Sequence, residues 1–119
     1  MKKEAEAHFE KANSLLEENN EDEAAEAFNQ AIEKAQKAEQ FELLIDIIFS
    51  YKEIASEEKK KEILNLSLQP LDELISKAKS KEDYQELSHL LEKKALCLKS
   101  LNKDFESTQL EAGKIYQKL

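Results

Sequence analysis

The chain has 119 residues: 18 lysines, no arginine, 26 acidic residues, one glycine and one proline. That length suits a single domain with one core, and so little Gly and Pro argues against hairpin-rich sheets, dinucleotide folds and phosphate loops. Apolar residues make up 40% and recur at helical spacing, which argues against disorder.

The spacing predicts six helical segments. The first, residues 3–18, carries Ala5, Phe9, Ala12 and Leu16 on one face, and Asn19-Asn20-Glu21-Asp22 interrupts it with residues suited to capping the next helix. The second, residues 23–36, aligns Ala24, Ala27, Phe28, Ala31 and Ala35, a small-residue stripe that lets two helices approach closely. The third, residues 41–56, is apolar on more than one face through Phe41, Leu44, Ile45, Ile47, Ile48, Tyr51 and Ile54. Such a helix belongs in the middle of an assembly. The fourth, residues 59–79, contains Pro70, which is expected to kink it or to begin a second short helix. Ser80 to Asp83 reads as a capped start for the fifth segment, which runs to about residue 101 with Tyr84, Leu87, Leu91, Ala95 and Leu98. Asn102-Lys103-Asp104 makes a turn, and Phe105, Ala112, Ile115, Tyr116 and Leu119 mark the sixth. The odd-numbered segments begin near residues 3, 40 and 81, so the reading is an all-α single domain over residues 1–119. Its six helices form three antiparallel hairpins, about 3–37, 40–79 and 81–118, stacked as an α-solenoid.

At this spacing the first hairpin resembles a tetratricopeptide repeat (TPR). Ala12 stands where that family has Gly or Ala, and Leu15 where it has an aromatic or apolar residue. Ala24, Phe28 and Ala31 fall at its Ala, aromatic and Ala positions, while Glu21 departs from its usual aromatic. The last hairpin is similar through Ala95, Leu98 and the turn Leu101-Asn102-Lys103-Asp104-Phe105, with one residue added; the middle hairpin keeps only length and apolar pattern. The resemblance implies a right-handed superhelix and a non-enzymatic scaffold or adaptor, binding a partner's peptide or helix in a concave groove. By position, the groove residues it implies are Glu6, Phe9, Asn13, Leu16 and Glu17, then Ile45, Phe49 and Lys52, then His89, Glu92, Lys93 and Leu96. A TPR subfamily clamps a C-terminal carboxylate with lysine, arginine and asparagine. Asn13 matches one of those asparagines, but Phe9 replaces the expected lysine and no arginine exists here, so that clamp is not expected.

Charge narrows the partner. The net charge is −8, and residues 1–42 hold 12 acidic groups against 5 lysines. Nucleic acid and anionic membrane surfaces would be repelled, and the bidentate reader of phosphate and guanine is missing. A basic or amphipathic protein segment fits better. Self-association as a homodimer through the C-terminal helix, or service as one piece of a longer repeat array, is the alternative. Cys97, the only cysteine, lies in the apolar run Ala95-Leu96-Cys97-Leu98 and reads as a small buried hydrophobe. The start lacks a signal-peptide pattern, and Glu42, Asp46 and Ser50 interrupt the longest apolar stretch, so a cytoplasmic location is expected.

No residue set supports catalysis, and no cofactor is implied. Glu86 and His89 stand one turn apart as in di-iron bundles, but the further glutamates and second motif of such sites are missing around His8. A histidine phosphotransfer domain would use an exposed histidine followed by Leu, Lys and Gly. His89 is followed by Leu90 and Leu91, then by Glu92 at the lysine position and Lys93 at the glycine position, and a glutamate beside a phosphohistidine would repel it.

Overall fold

A computed structural model describes residues 2–119. Among the described residues the secondary structure is all helical, with six helices and no strand: α1 (Lys2–Glu17), α2 (Glu21–Lys37), α3 (Phe41–Tyr51), α4 (Glu57–Lys81), α5 (Tyr84–Ser100) and α6 (Glu106–Tyr116). The chain divides into two compact units, residues 1–63 and 64–119, with the division inside α4.

In the first unit, polar residues stop one helix and start the next. Asn20 caps α2 by accepting from the Glu23 backbone N–H at 3.4 Å, and Glu21, Asp22 and Glu23 place negative charge at the positive end of the helix. Near the start of α1, Glu4 pairs with Lys34 near the end of α2 at 3.1 Å, so these helices are antiparallel. The alanine stripe is buried along the α2 face, and Phe28 lies beside Phe9 of α1 (centroids 6.2 Å apart) and stacks on Tyr51 of α3 (5.1 Å, 9°). On α3, Leu44, Ile45, Ile47, Ile48 and Tyr51 are all buried, which accounts for a helix that is apolar around most of its circumference.

α3 stops at Tyr51, five residues short of the predicted Ser56. Its end tightens as Glu53 donates to the Ser50 carbonyl and Ile54 to the Tyr51 carbonyl, and Ser56 instead caps α4 by accepting from the Lys59 N–H at 3.2 Å. Nor does Pro70 begin a second helix. α4 runs through it as one 25-residue helix, with Ile63, Leu64, Ser67, Pro70, Leu71 and Ile75 buried along its length. Burial of that face outweighs the single backbone hydrogen bond that proline withholds.

In the second unit, α4 and α5 are antiparallel. Ser67 meets Cys97 at 3.1 Å in the interior, and Asp72 pairs with Lys94 at 2.8 Å. The Ser67 hydroxyl also donates to the Leu64 carbonyl at 2.6 Å, so this buried polar group is satisfied within its own helix. α6 folds back along α5 and is tied to α4 by Lys79–Glu111 at 3.0 Å.

Four turns share one geometry. Asn19, Glu39, Glu82 and Asn102 each have φ between 53° and 60°, the left-handed region that favours glycine. At each, the left-handed residue donates to the carbonyl three residues back, and the next residue donates to the carbonyl five back: Asn20 to Leu15, Gln40 to Ala35, Asp83 to Ala78 and Lys103 to Leu98. These are Schellman caps made without glycine. One offset along the chain carries Asn19 onto Glu82, the cap Asn20 onto the cap Asp83, and Glu39 onto Asn102, and α2 and α5 are both 17 residues long. Turn chemistry thus repeats once per three-helix block; the α3–α4 connection, with no left-handed residue, is of another kind.

Candidate functional site

Between α5 and α6 lies a crevice of about 450 Å³. Glu92, Ala95, Leu96 and Lys99 line it from α5; Phe105, Gln109, Ala112, Gly113 and Tyr116 line it from α6 and its cap. Ala95, Ala112 and Gly113 keep its floor low, and a Cβ built on Gly113 would meet nothing within 4 Å. The chain's sole glycine therefore stands in a helix where a side chain would intrude on open space, not where the backbone requires it.

The rim is apolar in the middle and charged toward its ends. Leu96 is 45% exposed and Tyr116 44%, and both stand on this rim. The Tyr116 hydroxyl donates to Glu92 Oε1 at 2.6 Å, and that hydrogen bond pushes the phenol above its usual 10.0, with partial burial and the negative charge adding to it. Lys99 holds its ammonium 5.5 Å from the centre of the Phe105 ring. Glu92 and Lys99 are separated by about two helical turns, roughly 10 Å along α5, so an anion and a cation flank Leu96 on one stripe.

The residues expected to line a groove fall into different environments. On α1, Glu6, Asn13 and Glu17 are exposed, and Phe9 and Leu16 are half-buried. On α3, Ile45 is 2% exposed and belongs to the core, which corrects its assignment as a groove residue: α3 buries the run around it on successive positions. Phe49 and Lys52 are half-buried; the Lys52 ammonium lies 5.8 Å from the Phe49 ring and pairs with Glu53 at 3.0 Å, holding that carboxyl below the usual carboxylate range. On α5, His89, Glu92 and Leu96 are exposed and Lys93 is half-buried, and of these Glu92 and Leu96 enter the crevice. The α1 and α3 residues belong to the first unit and the α5 residues to the second. Lys99, Phe105, Gln109, Gly113 and Tyr116 were not expected to line a site. Their sequence signal is the recurrence of 105, 109, 112 and 116 on one face of a helix, with the only glycine beside it.

Among the described residues, no group of three or more His, Cys, Asp or Glu side chains could hold a metal ion, and no helix is long and apolar enough to cross a membrane. Cys97 is fully buried beside Ser67. Compared with family models, curated proteins and solved structures, the chain has no match in any of the three.

Proposed function

We propose that this chain is a non-enzymatic scaffold module that holds a peptide or helix of a protein partner, and that its contact site in residues 64–119 is the α5–α6 crevice. The observation that carries this reading is the pair of large side chains, Leu96 and Tyr116, left nearly half exposed on the rim of a crevice with a small-residue floor. An apolar side chain entering there is removed from water on three sides, which is how grooves between helices take amphipathic segments. The resemblance of α1 and α2 to a TPR hairpin supports the scaffold role, because Ala12, Ala24, Phe28 and Ala31 match that family's packing positions.

A photo-crosslinking residue placed at Gln109, which lines the crevice, tests the reading against the same residue at Leu110, which is 68% exposed on α6 and outside the crevice. Polypeptide adducts are expected from position 109, absent from 110, and lost when Leu96→Asp is added. Equal adducts at both positions, or none at 109, would overturn the proposal.

A further inference from the structure

We infer that the occupant of the α5–α6 crevice is a second copy of this chain, joined about a two-fold axis that passes beside α5 at the level of Ala95 and Leu96. The inference rests on the crevice being a protein-contact site and goes on to name the partner. Its ground is that the charge pattern of the rim is its own complement. Glu92, Leu96 and Lys99 lie on one stripe of α5, and Glu92 and Lys99 both line the crevice. Reversing α5 about a point beside Leu96 puts Glu92 of one copy opposite Lys99 of the other, and Lys99 of the first opposite Glu92 of the second. Leu96 of each copy then stands opposite Ala95 of the other, close to the axis. A closed two-fold interface requires such a self-complementary patch, with residue i facing j and j facing i.

Local charge favours a second copy over a basic partner at this site. Residues 64–119 carry nine lysines and nine carboxylates, so the chain's net −8 resides in residues 1–63. The unit that bears the crevice is thus itself neutral, and a uniformly basic segment would meet Lys99 as well as Glu92. Room also exists on the α6 side of the crevice, where a Cβ built on Gly113 would meet nothing within 4 Å. Tyr116, held against Glu92, adds an aromatic wall on the same rim.

Sedimentation and light scattering of the full chain, at concentrations up to about 100 µM so as to populate a dimer of micromolar affinity, give the first readout. The expected mass is twice the 13.7 kDa of one chain. Glu92→Lys sets lysine against lysine across the axis, and Lys99→Glu sets glutamate against glutamate. Each alone is expected to weaken dimerisation at least tenfold, while an equimolar mixture of the two should form a heterodimer, its charge pairs restored. Gly113→Leu, which fills the crevice while improving helix propensity, is expected to leave a folded monomer. Helical circular dichroism checks that each variant is folded. A monomeric wild type, single variants that dimerise as well as wild type, a mixture of folded variants that fails to recover the dimer, or a dimeric Gly113→Leu would each overturn the inference. If the wild type is monomeric while position 109 still crosslinks specifically to another polypeptide, the second copy is wrong and the protein-contact reading stands. If position 109 captures nothing, both fall.

Discussion

Tyr116 donates its hydroxyl proton to Glu92 at 2.6 Å, so the last helix is fastened to α5 through a phenol that must stay protonated to hold the bond. Its folded-state pKa lies above the usual 10.0, chiefly because ionisation would destroy that hydrogen bond. A group whose pKa is raised by folding contributes its stabilisation fully below the unfolded value and loses it as pH rises through the folded value. The tie between α5 and α6 should therefore hold across neutral pH and weaken as the phenol ionises in alkali. In a titration followed by tyrosinate absorbance, the ionisation that Tyr116→Phe removes should be a late one, and Glu92→Ala should bring it to lower pH. A Tyr116 ionisation that Glu92→Ala leaves unmoved would contradict this assignment.

The left-handed turns are a reserve of stability. Glu39 and Glu82 hold φ of 53° and 56° with a side chain that resists that region. Glycine relieves the clash, and Glu39→Gly or Glu82→Gly should each stabilise the chain by about 1 kcal/mol, a rise of roughly 4 °C in Tm. Asn19→Ala and Asn102→Ala should shift the melt in the opposite direction, because asparagine tolerates the left-handed region better than alanine does. Thermal melts of the four variants check both signs.

Phe28 is fully buried and sits against rings from both neighbouring helices. Phe28→Ala should cost about 3–5 kcal/mol and Ile48→Ala about 2–5 kcal/mol, a large share of the stability of a small domain. Urea denaturation gives the values. A change below about 1 kcal/mol for Phe28→Ala would mean that the three-ring contact is not formed.

Cys97 has no exposed surface and abuts Ser67 across the α4–α5 contact. In the native protein its thiol should react with a thiol-specific reagent only through opening of the structure, at a rate that rises with denaturant in step with unfolding. Fast labelling under native conditions would show that α5 moves away from α4 on its own.

Most helix positions were legible because their ends are marked chemically. Asn20 and Asp83 each precede a helix and each accept from the backbone N–H three residues on, as residues of that type do at such a position. Where α3 ends was not legible, because Ile54 and Ala55 continue the apolar pattern and only backbone closure at Ser50 and Tyr51 stops it. Of the two outcomes expected at Pro70, a second helix does not occur, because the proline falls within a buried face that continues on both sides of it. On α5, Glu92 and Leu96, implied as groove residues by the TPR resemblance, also line the crevice. The α6 wall was not legible, because Phe105, Ala112 and Tyr116 read as core positions from their spacing alone, and nothing in a periodicity distinguishes a residue that is covered from one that waits at a rim. Ile45 failed in reverse, since a helix buried on successive positions offers no free face to read.

The four glycine-free turns also bear on how fast the chain can assemble. Each joins helices that pack directly on one another, and even the Ser67–Cys97 contact between α4 and α5 spans only 30 positions. Little loop-closure entropy must be surrendered before such contacts form. Among helical proteins, topologies of this kind reach the native state in microseconds to milliseconds, so each three-helix block has the kinetics of a local structure that can form soon after its last turn is available.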